Sequence, residues 1–264
     1  MHLFPFHQDQ LVMAGADEGL SFMTEINFAR LGCGELERHT VSIPGMGLSV
    51  LVDLESPPGD PESPLKDGAF VCKPLRSFFP LLSPEQTKGA VTALMLLKWL
   101  RGSRFCMKCA APLGEPLNDN SRKCTRCETQ YFPPITPAVI VLVHREGKAL
   151  LAHNVNFAAG MYSAVAGFVE PGETLEECVA REVREETGIE IRDIRYFASQ
   201  PWPFPHSIMV GFTAEYAGGT IAPDGVEIED AGWFPPDGLP SVPPPGSVSR
   251  KLIDWFLETQ GRHE

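Results

Sequence analysis

The chain has 264 residues, 43% of them hydrophobic and 21% charged, the proportions of a globular protein with one large domain or two smaller ones. Its net charge of −12 argues against sequence-independent adhesion to a nucleic-acid backbone, which needs clustered Lys and Arg; it leaves open the reading of an RNA end and suits a protein that binds divalent cations. The longest apolar run, "ALMLLKWL", is too short to span a bilayer, and "MHLFPFHQDQ" lacks the basic start and apolar core of a signal peptide, so the expectation is a cytoplasmic protein without membrane contact.

Residues 1–103 read as a small α/β domain whose sequence does not disclose a role. "TVSIPGMGLSVLVDLE" has strand character with a Pro/Gly turn, and "SPPGDPESPLKDG" reads as an acidic, proline-rich loop. "SPEQTKGAVTALMLLKWLRG" starts a helix with Ser83 as cap, Pro84 in the first turn and Gln86 at the third position, and Gly102 ends it. Residues 104–132 then carry Cys106-x2-Cys109 and Cys124-x2-Cys127, separated by fourteen residues. Paired knuckles at that separation predict a structural zinc ribbon with one ion, the alternatives being two disulfides or coincidence. The polar "LGEPLNDNSRK" between the knuckles can bury little, so the metal supplies much of the folding energy on this reading. Cys33, Cys72 and Cys178 read as ordinary buried or free thiols.

The pattern changes from about residue 135. "AVIVLVHREGKALLAHN" predicts two strands joined at Glu146–Gly147, and "YSAVAGF" a buried strand leading into the loop "GFVEPGE". Thr174 with Glu177 forms a capping box, Gly188 is a stop signal, and Leu175, Val179 and Val183 make an apolar stripe between them. Seven glutamates lie within residues 167–189, and Glu182, Glu185 and Glu186 fall at i, i+3, i+4 on one helix face. Such a face is either solvated surface or a site where a hard divalent ion, Mg²⁺ or Mn²⁺, offsets the repulsion. A glycine loop that a ligand can approach, beside that helix, suits a diphosphate. "IRDIRYFASQ", "SIMVGFTAEY" and "EDAGWF" read as further strands and "SVSRKLIDWFLETQ" as an amphipathic final helix. In "SQPWPFPHS" three prolines stiffen the chain around Trp202 and Phe204. This stretch reads equally as the wall of a planar-base pocket or as a surface loop over a core tryptophan.

Gly167, Glu173, Arg181, Glu182, Val183, Glu185, Glu186, Gly188 and Ile189 match every fixed position of the Nudix box, G-x5-E-x7-R-E-U-x-E-E-x-G-U, with U a bulky aliphatic residue. "SQPWPFPHS", the cysteine knuckles and "LPSVPPPGSVSRKLI" further resemble the NADH pyrophosphatase family of Nudix hydrolases, also known as NAD-capped RNA hydrolases, over about residues 76–258. The resemblance implies an α/β fold in which an α/β/α Nudix sandwich with a mixed sheet, residues 133–264, follows the ribbon and the N-terminal domain. It implies metal-dependent hydrolysis of NAD(H) or of the NAD cap of an RNA 5′ end, by a homodimer.

Carried over motif by motif, the resemblance makes Glu182, Glu186, Glu227 and the carbonyl of Ala166 ligands of Mg²⁺ or Mn²⁺. Glu185 becomes a further metal or base candidate, and Glu229 the rival of Glu227. Gln200, Pro201, Trp202, Pro203, Phe204, Pro205, His206 and Ser207 would line the dinucleotide pocket. Phe168 would stack on a base, and Phe132 would close the pocket of a partner subunit. Ser249 and Arg76 would touch substrate. Four residues depart from the usual pattern: Ala110, where glycine would relax the knuckle, Pro134 in place of arginine, Phe132 in place of tyrosine, and Ser249 in place of alanine, which matters little if its backbone makes the contact.

Overall fold

The computed structural model describes residues 1–16, 19–29, 31, 34–55 and 70–260; the proline-rich loop expected at 56–68 and Cys33 lie outside the described residues. The chain forms two compact units, Met1–Pro134 with Pro203–His206, and Ile135–Trp202 with Ser207–Glu264.

The first unit contains β1 (Leu3–His7), β2 (Gln10–Ala16), β3 (Gly19–Ser21), α1 (Glu25–Ala29), β4 (Glu35–Ile43), β5 (Gly47–Leu54), β6 (Phe70–Pro74), a 3-10 turn at Leu75–Leu81, and α2 (Pro84–Gly102). The strand order is β3-β2-β1-β5-β4, with β6 also on β2 and β1 parallel to β5. Side chains alternate along each strand. Phe4, Phe6, Leu11 and Met13 pack with Leu94 and Leu97 of α2, while Leu3, Val12, Val50 and Val52 form a second cluster. Helix α2 begins with the expected capping box, Ser83 accepting from the Gln86 N–H and Gln86 accepting from the Ser83 N–H.

The cysteine segment, with β7 (Arg122–Lys123) and β8 (Gln130–Tyr131), lies within the first compact unit. The Asn120 side chain takes the Ser42 N–H at 2.9 Å and gives to the Ser42 carbonyl at 2.8 Å, acting as a strand partner for β4. Arg104 reaches Glu37 at 2.8 Å, and the His39 ring sits between Glu37 and Glu115. Buried Arg122 gives hydrogen bonds to the carbonyls of Gly114, Leu113, Ser103 and Leu100, joining the segment to the end of α2.

The second unit contains β9 (Thr136–Arg145), β10 (Lys148–Asn154), β11 (Val165–Phe168), α3 (Leu175–Thr187), β12 (Ile189–Trp202), β13 (Ser207–Gly219), β14 (Ile228–Phe234), a 3-10 turn at Pro236–Gly238, and α4 (Val248–Gln260). The sheet order is β12-β13-β9-β10-β14, with β11 on β9; β9 and β13 are parallel and the other pairs antiparallel, so the sheet is mixed as expected. Val139, Val141 and Val143 of β9 pack with Val179 and Val183 of α3, whereas Ile140 and Leu142 pack with Leu252, Ile253 and Phe256 of α4. One strand covered on both faces explains the unbroken apolar run in its sequence. The predicted turn between β9 and β10 holds Glu146 at φ 45° and Gly147 at φ 72°, the left-handed pair that a tight hairpin needs. "SQPWPFPHS" is the end of β12, the start of β13 and the tip between them, with Pro201 paired to Ile208 and Trp202 to Ser207.

Candidate active site and metal centres

Helix α3 is set by its ends. Thr174 and Glu177 form the capping box, and Gly188 closes the helix at φ 71°. The glycine of the preceding loop is fixed by close approach, because a Cβ on Gly167 would collide with the Glu182 carboxylate. Gly167 lies on β11 opposite Val139, so Glu182 rests directly against the strand.

Arg181 organises the carboxylates around it. It meets Glu173 at 2.5 and 2.9 Å, Glu182 at 2.9 Å and Glu185 at 3.1 Å, and gives to the Phe168 carbonyl at 3.0 Å. Its hydrogen bonds pull the Glu173 carboxyl down to about 2. Glu182 behaves oppositely: burial raises it despite Arg181. Glu186 is 5% exposed, and burial, followed by the charges of Glu182, Glu227, Asp224 and Glu185, pushes its carboxyl up to about 8. A carboxylate buried among like charges is the environment that a divalent cation relieves, and an all-oxygen donor set suits Mg²⁺ or Mn²⁺.

The later glutamates separate. Glu227 is among the charges that act on Glu186, whereas Glu229 points to His153, with Oε2 3.6 Å from Nε2. Asp224 was not singled out by sequence. Its carboxylate accepts the N–H groups of Val226, Glu227 and Ile228 and so shapes the loop that carries Glu227; "PDG" was the available signal, as an Asp-Gly turn.

The expected substrate residues are distributed as follows. Gln200 gives to the Gly246 carbonyl and accepts the Val248 N–H, each at 2.7 Å, so the hairpin is tied to the proline-rich loop at the start of α4. The Ser249 hydroxyl is buried and hydrogen-bonded to the Ser163 hydroxyl at 2.7 Å. The Ser207 hydroxyl is buried without a hydrogen-bond partner among the described residues. Phe168 and Phe132 are exposed at 50% and 60%, open to stacking. Ala166, next to Gly167 on β11, pairs with Ile140, and Trp202 is half-buried. Pro203, Phe204, Pro205 and His206 fold with the first unit, where the Arg76 guanidinium lies 4.3 Å over the Phe204 ring.

Among the described residues, Cys106, Cys109, Cys124 and Cys127 are the group of His, Cys, Asp or Glu whose ligand atoms all lie within 4.8 Å of one another. Their Sγ separations of 3.4 to 3.6 Å exceed a disulfide bond, which sets aside the disulfide alternative. The Tyr131 hydroxyl, 3.2 Å from Cys106 Sγ, leads the effects that draw that thiol down to about 6, and the Arg126 and Cys127 N–H groups both reach Cys124 Sγ at 3.4 Å. Four sulfurs gathered in one cluster fit zinc. The anticipated strain is present, since Ala110 sits at φ 57°.

Residues 134–256 match the NUDIX domain. The chain is 50% identical over 180 residues to the NAD-capped RNA hydrolase NudC of Chromobacterium violaceum, covering 68% of each chain. It is 46% identical over 191 residues to the protein of that name from Stutzerimonas stutzeri, covering 72% of this chain and 69% of that one. A crystal structure of a NUDIX hydrolase from Nitrosomonas europaea is similar at a TM-score of 0.49 and 22% identity, over 61% of this chain and 94% of that one. A complete Nudix box on a Nudix sandwich, together with half-identity over two thirds of a curated relative, makes this chain a member of the NudC family of Nudix hydrolases.

Proposed function

We propose that the chain hydrolyses the central diphosphate of NAD(H) to NMN or its reduced form plus AMP. The same cut in an NAD-capped RNA removes the cap and leaves a 5′-monophosphate. The observation that carries this reading is the Gln200 bridge, which joins "SQPWPFPHS" to the proline-rich loop, two segments 46 residues apart that share the family resemblance. The names of the NudC relatives support the same substrate class.

In this reading Glu182, Glu186, Glu227 and the Ala166 carbonyl hold Mg²⁺ or Mn²⁺, and the cysteines hold one zinc. The divalent ions, when bound, supply charge neutralisation at the diphosphate and acidify a water. Arg181 fixes the directions of the Glu182 and Glu185 carboxylates. Glu185, 58% exposed at the side chain, is the helix carboxylate open to accept a proton from water. Phe168 and Trp202 offer aromatic surface to a base. Phe132 is free to meet a second subunit of a homodimer, and the setting is the cytoplasm.

A competition assay with NADH, NAD⁺ and NAD-capped RNA at equal concentrations tests the proposal. NMN(H), AMP and 5′-monophosphate RNA are the expected products. Turnover of ADP-ribose with none of the three cleaved would overturn it.

A further inference from the structure

The tip of the "SQPWPFPHS" hairpin is folded with the first unit, although Trp202 and Ser207 on either side of it belong to the second. Lys98, on α2, makes a polar contact to that tip. Its ammonium gives a hydrogen bond to the Pro203 carbonyl at 3.0 Å and lies 5.4 Å from the centroid of the Phe204 ring. Asp9 holds the same ammonium at 2.7 Å. Arg76 lies 4.3 Å over the Phe204 ring, and that ring packs on the first unit's core.

The backbone of this tip has few free torsions. The rings of Pro201, Pro203 and Pro205 fix three φ angles. Trp202 and Phe204 each precede a proline and are restricted to extended backbone. Within the unpaired tip, the ψ angles of Pro203 and Pro205 are left unfixed by a ring or a following proline, and rotation about the first swings the Pro203 carbonyl. A hydrogen bond from Lys98 to that carbonyl therefore removes one of the remaining freedoms of the tip.

We propose that Lys98, held by Asp9, is a positioning residue for substrate recognition: by fixing the Pro203 carbonyl it holds the hairpin in the form that accepts a dinucleotide. This gives the N-terminal sequence, otherwise silent about role, a part in specificity through α2 and the loop after β1. The inference rests on reading Gln200–Ser207 as the recognition hairpin.

The test uses the full chain and its variants Lys98→Met, Lys98→Arg, Asp9→Asn, Phe204→Ala and Trp202→Ala. The specificity constant is measured on NADH and on ADP-ribose, which lacks the nicotinamide, with a melting curve for each variant. Lys98→Met is expected to lower kcat/KM for NADH about tenfold, mainly through KM, with ADP-ribose changed by less than about twofold. Lys98→Arg keeps a charged donor and should restore most of the loss. Asp9→Asn leaves Lys98 in place and should give a smaller loss in the same direction, which keeps the test open if Lys98→Met does not fold. If Phe204→Ala or Trp202→Ala changes the substrate ratio and Lys98→Met does not, the positioning role is wrong and the hairpin reading stands. If none of the variants changes the ratio, the hairpin does not read the dinucleotide and both fall together.

Discussion

At the scale of single residues, the glycines and carboxylates of the box have separate physical causes. Gly167 is required because Glu182 occupies the space of its Cβ, and Gly188 because the helix ends left-handed. The second cause was visible in sequence as a stop signal, whereas the first was not. The split between Glu227 and Glu229 was also hidden, because it depends on where Asp224 folds the loop and where His153 lies. Glu227→Gln should lower kcat on the order of 10²-fold with little change in melting temperature, since it removes a charge from the cluster around Glu186. Glu229→Gln should stay close to the parent; equal, mild losses in steady-state kinetics would reject the assignment. Ala110 offers a test in the stabilising direction. Its φ of 57° costs an L-residue about 1 kcal/mol, so Ala110→Gly should raise the melting temperature of the zinc-loaded protein by a few degrees. An unchanged or lower value would mean that unfolded-chain entropy outweighs the relieved strain.

At the scale of elements, α3 and β9 were the most legible. The capping box, the stop signal and the apolar stripe of α3 agree with one another, and β9 shows its double-sided burial as a plain apolar run. β12 was not legible in full, because its register shifts at three places, once beside Asp193 at φ 52°, and single-residue shifts break the alternation on which reading depends. The charge of α3 carries a pH dependence. The Glu186 carboxyl is raised in the fold to about 8, so the cation-free protein holds this contribution to stability below the ordinary carboxylate range near 4.5 and loses it as pH rises through about 8. A cation competes with that proton. Apparent Mg²⁺ affinity should therefore strengthen with pH, approaching about tenfold per unit below pH 8. Melting curves with and without Mg²⁺ at pH 6 and pH 8 check this: a larger shift at pH 8 is expected, and equal shifts would reject it.

At the scale of the whole molecule, the sequence suggested three domains, while the structure forms two compact units with the cysteine segment inside the first. The spacing of the cysteines was unmistakable, but what binds the segment to its neighbours was not. A single amide, Asn120, and a buried arginine with no carboxylate partner among the described residues, Arg122, contribute to it through backbone groups, which carry no pattern in sequence. Because the unit shares these ties, loss of the metal should be felt throughout it. Cys124→Ser, or chelation of the wild-type protein, is expected to release about one zinc per chain and to lower the first unit's unfolding transition as a whole. Hydrogen exchange would show faster exchange in α2, in β4 and at residues 203–206 together. Protection lost only between residues 104 and 132 would show the segment to be energetically separate.

The bond between Asn120 and Ser42 has one more consequence. β4 is the terminal strand of its sheet, and an open strand margin invites pairing with another chain. With both polar groups of Ser42 occupied by one side chain, that margin is shielded at a single rung. The cysteine segment thus covers one rung of that margin, and its unravelling would uncover it. Asn120→Ala should shorten the time to turbidity on warming while leaving the zinc content unchanged, as light scattering alongside metal analysis would record.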